Sequence, residues 1–285
     1  MANGFLLIDK KIGVTSRSVD NKIQRLFLTK KVGHLGTLDP FASGLLIVAV
    51  DKGCKSLPYI DDSFKTYEAS LFLGQKTDSG DLTGQIIEEK DVPNFNINDV
   101  EKVFNSLLGE SEQIPPMASA IHLNGDRLYD LHRKGIKADI PARKIFIKEL
   151  KIIKISAKQV DFSVICSKGT YVRTLGEEIA NRLNTVGHLI SLRRTAIGDI
   201  DINKSKDIDE INENDLISPT DLISYKRIIV EDEGLIKDIQ NGKNISLQEK
   251  EDRVLFCYYL NGELLPLAVY NRYKEKTYSI LRGLW

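Results

Sequence analysis

Asp39 lies in GHLGTLDPFASG, residues 33–44, where glycines, small hydroxyl residues and one proline surround a single carboxylate. His34 stands five positions before it, and the apolar run LLIVAV, 45–50, follows at once. A run of that kind reads as a buried strand. An acid at the lip of such a strand can serve as a nucleophile or a general base with little water around it. No second acid sits nearby in sequence, so the paired carboxylates of glycoside hydrolysis are not evident. Taken alone, an Asp before a Pro is most often a turn former. The flanking Gly33, Gly36 and Gly44, which allow close backbone approach, and the strand that follows give it a chemical reading.

A second cluster is KGTYVRTLGEE, 168–178, with Tyr171 and Arg173 at the junction of a strand and a helix. A guanidinium held there can pair bidentately with a carboxylate or a phosphate. Tyr67, in the alternating stretch YEASLFLG, reads on its own as a strand tyrosine, and Leu192, before Arg193 and Arg194, as core packing.

The elements around these residues are interleaved. GFLLIDK (4–10), LLIVAV, YEASLFLG (67–74), KELKIIKIS (148–156) and QVDFSVICS (159–167) read as strands. Helical spacing marks 18–27, with Ser16 or Ser18 as cap, and 98–109, with Asn98 and Glu101 as a capping-box-like start and Gly109 as its end. Further helices are expected over 127–135 and 174–183, the latter opened by Thr174 and Glu177. Without a regular βαβ period, the pattern predicts an α+β (mixed α/β) domain on a mixed sheet rather than a doubly wound fold. The polar, acidic segment 203–221 closes that domain. From Lys226 the texture becomes mostly β, with a hairpin signal at Asn261-Gly262. Two domains are therefore expected, 1–225 and 226–285.

The chain has 285 residues, and its 40 basic and 40 acidic side chains cancel, so net charge alone points to no nucleic acid. The segment 133–195 is nevertheless rich in Lys and Arg, while 77–112 and 199–221 are acidic. A basic region of this kind can attract a phosphate backbone locally. Cys54, Cys166 and Cys257 are odd in number and far apart, which argues for reduced thiols in the cytoplasm and against a zinc site or disulfide framework. No apolar run approaches the roughly 20 residues needed to span a bilayer. MANGFLLIDKK does not read as a signal peptide, because Asp9 interrupts its apolar run.

With these motifs in view, the chain resembles the TruB family of pseudouridine synthases. GHLGTLDPFASGLL resembles the family's signature and GFLLIDKKIGVTS its N-terminal motif. KTYEASLFLGQKTDSGDLTG, QIPPMASAIHLNG and SKGTYVRTL match further motifs in the family's order, so the likeness covers essentially the whole chain. The resemblance implies a pseudouridine synthase catalytic domain followed by a PUA-like RNA-binding domain. It implies isomerisation of uridine to pseudouridine at position 55 in the tRNA T-loop, by base flipping and without cofactor. Asp39 would be the catalytic acid and Arg173 its ion-pair partner. Tyr67 would stack on the flipped base, with Tyr171 and Leu192 lining its pocket, His34 contacting RNA and Asp81 supporting Arg173. The expected partner is tRNA, through its T-loop and T-stem. Neither a membrane nor an obligate protein partner is expected, and the chain would act as a monomer in the cytoplasm.

Three positions depart from the family pattern: Lys11, where proline is common, Ala118, often tyrosine, and His122, frequently lysine. Two other functions share parts of this pattern. GHLGT faintly echoes the H-x-G-H motif of ATP-using nucleotidyltransferases, but Thr37 stands where that motif needs a second histidine. A non-catalytic RNA-binding or RNA-folding protein would share the need to bind and open its RNA.

Overall fold

The computed structural model describes residues 3–119, 121–123, 126–128, 134–136 and 138–285. Among them, ten strands form one mixed sheet. Its main path runs Lys206–Asp207, Gly4–Lys10, Ser43–Val50, Gly187–Ile197, Phe64–Leu73, Gln159–Ser167, Arg143–Ser156, Gly109–Gln113. Two pairings are parallel, Gly4–Lys10 with Lys206–Asp207 and Ser43–Val50 with Gly187–Ile197; the others along the path are antiparallel.

Sequence texture follows the two faces of this sheet. In Ser43–Val50, Leu46, Val48 and Val50 pack into one core, while Leu45, Ile47 and Ala49 pack into another on the opposite face. Burial on both faces explains a run with no polar alternation. In Phe64–Leu73 only Lys65, Tyr67, Ala69, Leu71 and Leu73 turn inward, so that strand alternates. Helices Ile97–Leu107 and Val172–Arg182 cover that inner face with Val100, Phe104, Leu107, Leu175 and Ile179. Helix Ser16–Leu26 covers the first core with Val19 and Ile23. The acidic segment returns to the first strand, where Phe5 and Ile217 exchange backbone hydrogen bonds of 2.9 and 2.8 Å.

A second sheet begins at Lys226 and runs Lys226–Ile229, Arg253–Leu260, Glu263–Lys274, Thr277–Gly283, Ile245–Ser246. Its hairpin turns at Asn261 (φ 52°) and Gly262 (φ 81°), the two positive angles a type I′ turn requires. Ile223, Leu255, Cys257, Val269 and Leu284 share a small core at its base.

Several expected helix starts differ. Helix Ser16–Leu26 is capped by Thr15, whose side chain accepts from Ser18 N; Ser16 is buried and used elsewhere. Helix Ile97–Leu107 is capped by Asn96 with Asp99 completing the box, two residues before the expected Asn98 and Glu101, and Gly109 opens a strand instead of ending the helix. Thr174 lies inside its helix, which starts at Val172 with Tyr171 in the cap position and no side-chain cap. The expected helix over 127–135 falls mostly outside the described residues. All three cysteines are free, with Cys166 and Cys257 buried and Cys54 half-buried. Among the described residues, no helix is long and apolar enough to cross a membrane.

Candidate active site

The loop that carries Asp39 is braced from beneath. Ser16 Oγ accepts from Leu38 N (2.9 Å) and donates to Leu38 O (3.1 Å), pinning the residue before the acid. Lys10, almost wholly buried, donates through Nζ to Ala42 O (2.6 Å), Val14 O (2.7 Å) and Lys11 O (3.0 Å). Gly44, at φ 110°, lies so close to the neighbouring strand that a Cβ there would sit 2.2 Å from Arg194 O. No other residue fits that crossing.

Asp39 Oδ2 is 2.9 Å from Arg173 Nε. That N–H has no aligned hydrogen-bond acceptor, so the contact is an ion pair in close approach rather than a linear hydrogen bond. Arg173 is fixed by its other nitrogens: Nη1 donates to Ser79 O (2.6 Å) and Nη2 to Ala118 O (2.7 Å). Because Arg173 enters the first turn of its helix, the guanidinium is aimed by a rigid element. The departure at Ala118 leaves this support intact, since the contact uses its carbonyl.

Protein crowding around Asp39 raises its pKa, the Arg173 guanidinium opposes that rise, and the nearby Asp81 carboxylate adds to it. The carboxylate nevertheless keeps 35% of its side-chain surface exposed, against 3% for Arg173, so its free face is open to a ligand. A carboxylate made more basic by poor hydration, yet paired with a fixed cation, is suited to attack or to proton abstraction.

A cavity of about 280 Å³ opens beside it, with Asp39, Tyr67, Tyr171, Arg173 and Leu192 in its wall. Its volume lies near the lower end for ligand pockets and suits one flat ring. Larger grooves of about 810 and 760 Å³ lie elsewhere and do not include Asp39. Tyr67 and Arg194 face each other across paired strands, as do Ala69 and Leu192. Tyr171 is held by Gln113, which accepts from its N–H (2.7 Å) and donates to its carbonyl (3.1 Å). Burial pushes the phenols of Tyr67 and Tyr171 upward, so both hydroxyls remain protonated donors at neutral pH.

Five of the sequence-derived residues thus line one cavity, and two stand behind it. Asp81 Oδ2 is 3.7 Å from Arg173 Nη1, while its Oδ1 accepts from Ser79 Oγ, Thr83 N and Thr83 Oγ1. His34 is outside the cavity wall, between Asp20 and Thr37. Sequence reading missed Lys65 and Arg194, both buried in the wall, along with Lys10 beneath the loop and Gln113. Arg194 donates to Leu45 O and Gly36 O at 2.8 Å each. Burial lowers the Lys65 pKa, and lowers that of Lys10 to about 8. The inward parity of Lys65 with Tyr67 was the available signal.

The fold has solved relatives. A chain in a crystal structure of a Cbf5-Nop10-Gar1 complex superposes with a TM-score of 0.73, covering 99% of this chain and 85% of that one at 19% identity. A structure of an H/ACA RNP bound to a substrate RNA containing 2′-deoxyuridine gives 0.70 at the same identity. The two define the class of fold. Residues 24–172 match the sequence model described as TruB family pseudouridylate synthase (N terminal domain). Proteins named tRNA pseudouridine synthase B are 44% identical over 218 residues in Bacillus subtilis and 39% over 276 residues in Hydrogenovibrio crunogenus. These alignments cover 74% and 96% of this chain, and 70% and 91% of the relatives. For the Psychrobacter cryohalolentis protein of that name the figures are 42% over 208 residues, 71% of this chain and 58% of the relative's length. The chain belongs to the TruB family of pseudouridylate synthases.

Proposed function

We propose that this chain converts uridine to pseudouridine in the T-loop of tRNA, at position 55, with no cofactor. The observation that carries the reading is the Asp39–Arg173 pair at the mouth of a cavity for one base, with Tyr67 in its wall. A uridine in a folded loop must leave its stack to be reached. In the cavity the uracil lies against Tyr67 and Leu192, with Tyr171 beside it. Stacking on an aromatic ring is worth about 1–3 kcal/mol per base, which offsets part of the cost of unstacking.

In the reaction the bond from uracil N1 to ribose C1′ breaks, the uracil turns, and a C5–C1′ bond forms. The hydrogen on C5 leaves as a proton and N1 gains one, so substrate and product are isomers and no electrons are exchanged. Asp39 can act by attack at C1′, attack at C6, or removal of a sugar proton. Each route needs an ionised, poorly hydrated carboxylate, which Arg173 and the crowded loop supply. Lys10, Lys65 and Arg194 add positive charge around the pocket of an RNA substrate.

In this reading residues 1–225 are the catalytic domain and 226–285 a PUA-like module that contacts the RNA beyond the T-loop. The chain works as a monomer in the cytoplasm. The test uses unmodified tRNA tritiated at uracil C5, with no nucleotide added. About one equivalent of tritium should be released per tRNA. No release, or release only with ATP, would overturn the reading.

A further inference from the structure

We propose that Asp20 is a positioning residue that acts through His34 on the loop carrying Asp39; this role in turnover rests on the uridine-isomerising reading above. Asp20 lies on the inner face of helix Ser16–Leu26, between Val19 and Ile23, and is 1% exposed. Its carboxylate oxygens are 2.9 and 3.1 Å from His34 Nδ1. The solvent-facing Arg17 approaches it at 3.6 Å. On the other side of the ring, His34 Nε2 is 3.2 Å from Thr37 Oγ1. Thr37 lines the cavity two residues before Asp39.

A buried carboxylate is costly unless it is hydrogen-bonded and paired, and Asp20 shares the inner face of this helix with the apolar Val19 and Ile23 and the neutral Ser16. Both oxygens are spent on the imidazole. Since an ionised carboxylate only accepts, Nδ1 must carry a hydrogen, and this sets both the ring's orientation and its tautomer. Nε2 is then presented to Thr37. Ser16, one turn earlier on the helix, holds Leu38 directly. The helix thus grips the loop at two adjacent points, and only the second runs through an ionisable ring.

The test combines a spectroscopic readout with a double-mutant cycle on the full-length chain. In ¹⁵N spectra, wild-type His34 should show a protonated Nδ1, and Asp20→Ala should lose that preference. Asp20→Asn keeps the size but can accept or donate, so a mixture of tautomers is expected. Single-turnover rates at saturating tRNA should fall about tenfold in Asp20→Ala and in His34→Ala. The double variant should be no more than about twofold worse than either alone. A protonated Nδ1 retained in both Asp20 variants, or multiplying losses, would overturn the proposal. Should Asp20→Ala fail to fold, the isosteric Asp20→Asn decides through the same spectra and cycle. If the wild type releases no tritium, the isomerase reading fails, and the tautomer spectra still decide whether Asp20 sets His34.

Discussion

Arg173→Lys conserves charge and nearly conserves length, yet it should damage both rate and stability. In the wild type one planar group reaches three places: Asp39 at 2.9 Å, Ser79 O at 2.6 Å and Ala118 O at 2.7 Å. A lysine ammonium is a single point on a flexible stem and cannot span carbonyls on opposite sides while facing Asp39. If it turns to Asp39, both carbonyls lose their donors, at about 1–3 kcal/mol for each buried group left unpaired. If it turns to the carbonyls, Asp39 loses its cation while Asp81 remains nearby. The first outcome destabilises the fold by roughly 2–6 kcal/mol. At about 2–4 °C of Tm per kcal/mol for domains of this class, a melting shift of at least about 4 °C is expected. Loss of about 3 kcal/mol from the transition state would correspond to a rate about a hundredfold lower. Thermal melts and single-turnover tritium release at saturating tRNA read the two effects separately. A lysine variant with wild-type melting and a rate within threefold of wild type would refute the anchoring role given to the guanidinium.

Other perturbations test other parts of the site. Gly44→Ala forces a Cβ to within 2.2 Å of Arg194 O at a left-handed φ, so it should destabilise by more than about 2 kcal/mol and lower activity, read by denaturant titration. Tyr67→Phe keeps the ring and should retain most activity, whereas Tyr67→Ala should cost about 1–3 kcal/mol of stacking, measured as kcat/KM. Lys10 has a folded pKa of about 8 against 10.5 unfolded, so between those values the unfolded state binds more protons and stability rises with pH. Relative to Lys10→Met, the wild type should therefore gain about 2–3 kcal/mol between pH 7 and 10, in urea titrations at both pH values.

Much of this arrangement is legible in the chain. The 45–50 run and the alternation through Tyr67 announce one strand buried on two faces and one with an inward face, and the loop before the first isolates Asp39. What could not be read is pairing at a distance. Lys65 and Arg194 look like ordinary strand cations until the sheet order brings Phe64–Leu73 beside Gly187–Ile197. Asp20 sits in a helix whose periodicity is carried by its apolar neighbours, and only the placement of His34 opposite it gives the acid a purpose. Helix caps slipped by one or two residues because Thr15 and Ser16, or Asn96 and Asn98, offer equivalent chemistry. Local geometry chooses between them.

In the proposed mechanism one carboxylate, Asp39, performs the chemistry while the rest of the site binds and positions the base. Asp39→Asn preserves size and removes the charge that burial makes costly to hold. The most direct measurement compares this variant with wild type on the same C5-tritiated, unmodified tRNA. Filter binding and single-turnover tritium release are recorded on the same preparations. The expected result is tRNA affinity within about threefold of wild type, unchanged or slightly higher thermal stability, and no detectable release. Release at more than about one hundredth of the wild-type rate by the folded variant would contradict it.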